Sequence, residues 1–370
     1  MKYLISGGGT GGHIYPALAI ASEIKARDKS ADILYVGTES GLESELVPKA
    51  GIAFETIRVK GMPRKINKEM LISIKELALG INDARKILNK FKPDIVIGTG
   101  GYVCGPVVYI AKKKKIPALI HEQNAFPGIT NKILSRYVDR VLVTFEESRK
   151  YFKHEDRVVL TGNPIRKEIL EVDREEAYNK LEIKKDLPLI LSFGGSGGQR
   201  SLNDSIYEFI KENNHKNDMQ LIHVTGSRHY NLFMDRLKED KIKLNKNIRV
   251  LKYLYDMPEA INIASLIVTS AGAITLSEIA AVGVASILIP KAYTAENHQE
   301  YNAKSFEENG ASVVISESSL NGKLLSKNIY DIILDEKIME KMKANSKKLG
   351  KIQAGEQIAK IIEDLARENK

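Results

Sequence analysis

The chain has 370 residues, 43% hydrophobic and 28% charged, with a formal net charge of +9 and a single cysteine. That content is enough for two cores of ordinary domain size, and one cysteine excludes a disulfide framework and suits a reducing cytosol. The charge is one-sided: residues 1–160 hold 26 Lys and Arg against 17 Asp and Glu, and the remainder holds 30 of each, so the first half is the part expected to meet an anionic surface.

Taken in order, the N-terminal run Met1-Lys2-Tyr3-Leu4-Ile5-Ser6 breaks into glycines too early for a signal peptide. The glycine loop Gly7-Gly8-Gly9-Thr10-Gly11-Gly12-His13 joins this strand-like run to a helix-like one with Pro16 in its early turns. Such a turn points bare backbone N–H groups and a positive helix end at whatever lies in front. Gly7, Gly9 and Gly12 also satisfy the dinucleotide pattern, with Glu39 as its acidic ribose ligand, but that pattern alone is weak. His13, at the mouth of the loop, reads either as a brace for the loop or as a neutral imidazole able to accept a proton.

Apolar runs at 3–5, 33–36, 95–97, 118–120 and 141–143 alternate with helical stretches, and the pattern returns at 189–192, 221–224, 248–251, 266–269 and 286–289. Strands spaced by helices predict two doubly wound parallel sheets. The uncharged stretch from Ile95 to Ala111 is short for a membrane span and rich in glycine, so it reads as strand, loop and helix. Between Arg58 and Lys92, Met70, Leu71, Ile72, Ile74, Leu77, Leu79, Ile81, Ile87 and Leu88 recur at helical spacing, interleaved with Lys65, Lys68, Lys75, Arg85, Lys86 and Lys90. This helix either packs on a core with a basic outer face or lies in a membrane interface. No recognised nucleic-acid motif is present and aromatic residues are only 6%, so nucleic acid is not an expected partner.

Thr161-Gly162-Asn163-Pro164-Ile165-Arg166 interrupts the pattern and marks the expected junction. The expected domains are 1–161 and 162–335, followed by a charged helical tail over 336–370. The second half has its own glycine loop, Gly194-Gly195-Ser196-Gly197-Gly198-Gln199. Further on, Ser270-Ala271-Gly272-Ala273-Ile274-Thr275-Leu276-Ser277-Glu278 opens a helix with small residues. Glu278 reads either as a helix-start charge or as an acceptor for two ribose hydroxyls. Glu296 to Asn302 is a polar stretch expected at the carboxyl edge of the sheet.

Gly9 to His13, His121-Glu122-Gln123-Asn124, Gly162 to Arg166, Gly194 to Ser196, Gly272 to Glu278 and Asn297-His298-Gln299 together resemble the motif series of the MurG family of bacterial N-acetylglucosaminyltransferases. The resemblance is collinear over most of the chain. It implies an α/β fold of GT-B type, two Rossmann-like doubly wound domains facing a cleft. The first would hold the acceptor, undecaprenyl-linked muramoyl-pentapeptide, and the second UDP-N-acetylglucosamine. The resemblance places Ser196 and Gln299 on the donor's phosphates and sugar, Glu278 on the ribose and the Leu254 backbone against uracil. Ala273, Ile274 and Thr275 would line the nucleotide, with Arg166 beside it. Thr10, Gly11, Gly12 and Asn124 would approach the sugar, and His13 and Tyr102 would lie towards the acceptor. His298 stands where some relatives have a glutamine, and no role is implied for it.

The implied reaction is an inverting transfer to the muramoyl 4-hydroxyl with His13 as catalytic base, no cofactor and no metal, at the cytoplasmic face of the cell membrane. No two aspartates are separated by one residue anywhere in the sequence, so a dedicated metal clamp on the diphosphate has no obvious ligands. Two other classes fit less of the chain. A nicotinamide oxidoreductase leaves the second glycine loop unexplained, and a membrane-recruited scaffold explains only the basic half. Another glycolipid-forming transferase of the same fold is the nearest alternative.

Overall fold

Tyr3-Leu4-Ile5, Ile95-Val96-Ile97 and Leu119-Ile120 are apolar without alternation, the pattern of strands covered on both faces, and every one of these side chains is buried. The computed structural model describes residues 1–61, 63, 68–195 and 197–368. Its chain alternates β1 (Lys2–Gly7), α1 (Gly11–Arg27), β2 (Asp32–Gly37), α2 (Glu43–Lys49), β3 (Ala53–Thr56), α3 (Lys68–Phe91), β4 (Ile95–Gly100), α4 (Cys104–Lys113), β5 (Ala118–Glu122), α5 (Ile129–Leu134), β6 (Arg140–Val143) and β7 (Val158–Leu160). These seven strands form one parallel sheet in the order β3-β2-β1-β4-β5-β6-β7.

The alternation resumes with α6 (Arg174–Lys180), β8 (Leu189–Phe193), α7 (Arg200–Asn213), β9 (Gln220–Val224), α8 (Tyr230–Glu239), β10 (Ile248–Leu251) and α9 (Met257–Ile263). It continues through β11 (Leu266–Thr269), α10 (Ala273–Val282), β12 (Ala285–Leu288), α11 (His298–Glu308), β13 (Ser312–Val314), α12 (Gly322–Ile333), α13 (Glu336–Leu349) and α14 (Ala354–Glu368). The second sheet is also parallel, in the order β10-β9-β8-β11-β12-β13. Both orders reverse direction beside the first strand of the sheet, the Rossmann arrangement, which opens a crevice at the carboxyl ends of β1 and β4 and of β8 and β11.

The ten expected strands all form. The sequence pattern does not reveal β3, β7 and β13. Each has only three or four residues, mostly half-buried or exposed, so none makes the long apolar run that marks a central strand. The stretch from Ile95 to Ala111 is β4, a glycine turn and most of α4. Among the described residues no helix is long and apolar enough to cross a membrane.

Residue contacts divide the chain into one unit of Met1–Ile165 with Ile352–Lys370 and a second of Arg166–Lys351. The dividing point falls after Ile165 rather than Thr161, and residues 336–370 are not one tail. Helix α13 packs on α10 and β12 in the second unit. Helix α14 returns to the first, burying Ile358, Ala359, Ile362 and Leu365 among residues of β1, β2 and α1. Arg27 of α1 donates to Glu363 of α14 at 2.9 Å across that contact. The periodic apolar face of α14 is what draws a charged segment into the core.

Helix α3 divides the two readings of its stripe. Ile87 and Leu88 are buried in the core of the first unit, with Leu77 and Ile81 packed against it. Leu71, Ile72 and Ile74 are exposed, Leu71 by 71%. The helix is pinned at its middle, where Gly80 sits so close to the backbone that a Cβ there would lie 2.2 Å from the Arg58 carbonyl oxygen. Arg58 in turn donates to Asp83 at 2.7 and 2.8 Å.

Gly80→Ala therefore loses stability although alanine is the better helix former by about 1 kcal/mol. Overpacking against backbone is expected to cost roughly 1–3 kcal/mol in denaturant unfolding. A variant as stable as the parent contradicts this packing.

Candidate active site

At the switch point of the first sheet the β1–α1 loop and the end of β4 lock together. The Gly8 N–H donates to the Gly100 carbonyl at 3.3 Å, and a Cβ on Gly101 would fall 2.3 Å from the Gly8 oxygen. Gly9 has φ +83°, and the Tyr102 ring lies over it, 3.3 Å from where a Cβ would stand. Below the loop, Glu43 is fully buried. Its carboxylate accepts from the Gly9 N–H at 3.3 Å, from the Thr38 N–H at 3.1 Å and from the Thr38 hydroxyl at 2.7 Å. Nothing in the sequence distinguishes Glu43 from its neighbours Glu39 and Glu45. Glu39, the dinucleotide alternative's ribose ligand, is exposed.

His13 is partly buried in the first turn of α1. Its Nδ1 lies 2.9 Å from the Gly8 carbonyl oxygen and 3.3 Å from the Thr10 hydroxyl. A carbonyl can only accept, so Nδ1 donates here, and in the neutral ring the lone pair belongs to Nε2. Thr99 holds the backbone behind it, its hydroxyl donating to the His13 carbonyl at 2.9 Å. The arrangement braces the loop through one ring nitrogen. Gly11 and Gly12 begin the helix, and Thr10 precedes it in extended conformation without capping it.

The His121 to Asn124 segment leaves β5 beside this crevice. His121 is buried, its Nε2–H donates to the Gly162 carbonyl at 3.0 Å, and its Nδ1 lies 3.1 Å from the Gln123 amide nitrogen. Burial pulls its imidazole down to about 4. Glu122, also buried, accepts from the Asn124 N–H at 3.0 Å, the Asn124 side chain at 3.2 Å, the Gly128 N–H at 3.2 Å and Asn131 at 2.8 Å. The motif's charged residue thus shapes the loop that carries Asn124. Asn163, in the junction motif, is buried with neither side-chain polar atom partnered among the described residues.

In the second unit, Gly195 and Gly198 take φ +75° and +73° in the β8–α7 loop, and the Gly198 N–H donates to the Gly195 carbonyl at 3.0 Å. A Cβ on Gly194 would lie 2.4 Å from the Gln199 nitrogen, and one on Gly198 2.3 Å from the Thr225 oxygen. Ser196, expected on the phosphates, lies outside the described residues, as does Lys65 of the basic stretch.

Across the switch point, Gly272 precedes α10, whose first turn carries Ala273, Ile274 and Thr275, the first buried and the others partly exposed. Glu278 is only 5% exposed and accepts from Arg166 Nε at 2.7 Å. Burial pushes its carboxyl up, and the Arg166 bond and charge act against that. It is therefore no solvated helix-start charge. Arg166 and Glu278, expected on the same nucleotide, are brought together 112 residues apart in sequence. Leu254 is buried in the β10–α9 connection, between the exposed Tyr253 and Tyr255.

The polar stretch before α11 contains two successive left-handed residues, Glu296 at φ +56° and Asn297 at φ +50°. Such strain in a non-glycine residue persists only where its surroundings hold it. Gln299 is buried, and its carbonyl oxygen accepts from the Lys291 N–H at 3.0 Å, leaving the NH₂ as the donating end. Asn302 donates to the Ala271 carbonyl at 3.1 Å, tying α11 to the loop before α10. Lys291 and Glu317 belong to no motif that the sequence displays. Glu317 accepts from Ser201, from Gln199 at 3.1 Å and from the Ala292 N–H at 2.8 Å. Burial raises its pKa, but these bonds outweigh burial and hold the carboxyl below its usual range.

Residues 3–143 match the glycosyltransferase family 28 N-terminal domain and residues 189–364 its C-terminal domain. The chain is 49% identical over 365 residues to a UDP-N-acetylglucosamine–N-acetylmuramyl-(pentapeptide) pyrophosphoryl-undecaprenol N-acetylglucosamine transferase from a Thermoanaerobacter species, covering 99% of this chain and all of the relative. The chain belongs to this transferase family. A relative of the same name from Acetivibrio thermocellus is 50% identical over 367 residues, covering 99% of this chain and 98% of its own. Among solved structures, MurG of Acinetobacter baumannii superposes with a TM-score of 0.79 at 24% identity, covering 98% of this chain and 99% of that one. That likeness confirms the two-domain fold expected of the family.

The buried histidines give this architecture a pH signature. His121 falls to about 4 and His223 to about 3 when folded, against 6.5 ordinarily, in each case because burial disfavours the charged ring. Unfolded chains bind these protons below about pH 6.5. The stability they contribute is thus complete above that pH and is lost as pH falls towards the folded values, by roughly 1.4 kcal/mol per unit for each ring. His121→Gln should shrink the loss of unfolding free energy between pH 6.5 and 4.5, and parallel profiles for variant and parent contradict a neutral buried His121.

Proposed function

We propose that this chain transfers N-acetylglucosamine from UDP-N-acetylglucosamine to the 4-hydroxyl of undecaprenyl-pyrophosphoryl-N-acetylmuramoyl-pentapeptide. The observation that carries the reading is family membership over the full chain, joined to a glycine loop at each switch point. The fold alone carries less, because one fold hosts many activities.

The donor's nucleotide is assigned to the second unit. Glu278 takes the ribose hydroxyls through the oxygen that Arg166 leaves open, while Ala273, Ile274 and Thr275 line the base and ribose. The Leu254 backbone meets uracil. The N–H groups of the β8–α7 loop, with Ser196 and the positive end of α7, receive the diphosphate. The NH₂ of Gln299 is the donor available to the sugar.

The acceptor is assigned to the first unit, with Thr10, Gly11, Gly12 and Asn124 near the reacting sugar and Tyr102 towards the lipid-linked substrate. The acceptor oxygen attacks the anomeric carbon as the bond to the β-phosphate oxygen breaks, and the electron pair leaves with UDP. The acceptor's proton passes to His13 Nε2, the ring nitrogen not engaged by the Gly8 carbonyl. One displacement from the face opposite UDP inverts the centre and gives a β-1,4 link.

Docking to the membrane is assigned to the exposed half of α3. Leu71, Ile72 and Ile74 offer apolar surface, with Lys68 and Lys75 exposed among them. Apolar side chains that enter the interface while lysines meet anionic headgroups hold a protein reversibly at a bilayer.

Labelled UDP-N-acetylglucosamine and lipid-linked muramoyl-pentapeptide should give a β-linked disaccharide lipid, and failure to transfer to that acceptor overturns the reading. In the same assay His13→Ala should lower turnover roughly 10²–10⁴-fold with UDP affinity unchanged, the range of a general base. Equal losses of binding and rate would make the histidine a brace alone.

For the membrane, the double variant Lys68→Glu, Lys75→Glu should sediment less with anionic vesicles than the parent. Each basic residue contributes on the order of 1 kcal/mol, an attraction that salt screens. Equal sedimentation refutes this surface.

A further inference from the structure

Lys291 stands at the carboxyl end of β12, three residues beyond its last strand position, and faces the β8–α7 glycine loop. Its ammonium donates to the Gly198 carbonyl at 2.9 Å. The same nitrogen lies 4.0 Å from the point where a Cβ on Gly195 would stand, with the Ser270 hydroxyl 3.6 Å from that point. It therefore borders both left-handed glycines of the loop. Its own backbone is fixed by Gln299, whose oxygen accepts the Lys291 N–H. Backbone and side chain are thus held by the two segments that flank the proposed phosphate and sugar positions.

The charge on this side chain is under-used in the free protein. Glu317 is the carboxylate whose charge acts on it among the described residues, and that carboxylate is already occupied by Ser201, Gln199 and the Ala292 N–H. Burial pulls the ammonium's pKa down, with Glu317 opposing. A lysine has three donors, and one of them goes to Gly198. A half-buried cation beside a glycine loop that leads into a helix start is arranged for an anion.

We propose that Lys291 binds the diphosphate of the sugar-nucleotide donor and stabilises the charge of UDP as it departs. The proposal rests on the donor assignment above and adds a cationic residue to it. Helix α7 offers only about half a unit of positive charge at its start. When the anomeric C–O bond breaks, its electron pair moves onto the β-phosphate oxygen, and the acceptor's proton goes to the base. Lys291 keeps its own proton throughout and supplies a full unit of charge where that oxygen becomes anionic.

UDP affinity by calorimetry, uridine affinity by ligand-observed NMR and turnover decide it for the parent, Lys291→Met and Lys291→Arg. The methionine variant should bind UDP 10–100-fold more weakly and turn over at least 10-fold more slowly, with uridine affinity unchanged. The arginine variant should recover most of both losses. Equal weakening of UDP and uridine, or no weakening of UDP, overturns the proposal. Should the methionine variant fail to melt as a folded protein, full parental UDP affinity in Lys291→Gln overturns it instead. A parent that binds no UDP overturns the donor assignment itself, an outcome distinct from an unaffected variant of a UDP-binding parent.

Discussion

The glycine loops after β1 and β8 depend on backbone approaching backbone more closely than any Cβ allows. In the first unit Gly101 comes so near the Gly8 carbonyl that a Cβ would stand 2.3 Å from its oxygen. In the second, Gly198 does the same against the Thr225 carbonyl, again at 2.3 Å. These contacts bring the loop after the first strand of each sheet against a neighbouring strand end. The glycines are required by space as well as by the positive φ of Gly9, Gly195 and Gly198.

Loops so short of side chains need rigidity from elsewhere, and carboxylates supply it. Glu43 collects the N–H groups of Gly9 and Thr38, Glu122 those of Asn124 and Gly128, and Glu317 that of Ala292. Charge-assisted bonds to backbone are about twice as strong as neutral ones, so one acid fixes a loop that would otherwise sample many conformations. The same logic sets His13, whose Nδ1 bond to the Gly8 carbonyl orients the ring and selects the tautomer of its neutral form. Loop position, tautomer and the proposed chemistry are linked through that one carbonyl.

The central strands and both glycine loops are legible in the sequence because they rest on local pattern, apolar runs that end in glycines. The edge strands β3, β7 and β13 are not, since their pairing comes from the neighbouring strand rather than from their own residues. Helix α14 is legible as a helix but not as part of the first unit, because its partner α1 lies more than 300 residues away. In the site, Arg166 and Glu278 stand out separately in the sequence, and only the fold shows their bond. Glu43, Glu317 and Lys291 carry no motif. Each acts through burial and through groups distant in sequence, information that spacing does not contain. Helix α3 shows a limit of a different kind, for one apolar stripe serves a core at one end and solvent at the other.

The central claim is that the second switch point holds the nucleotide, with Glu278 as its ribose ligand. Calorimetric titration of UDP into the parent and into Glu278→Ala tests it most directly. Loss of a charged hydrogen bond should weaken binding by about 1.5–3 kcal/mol. Unchanged UDP affinity in a folded Glu278→Ala protein would contradict the account.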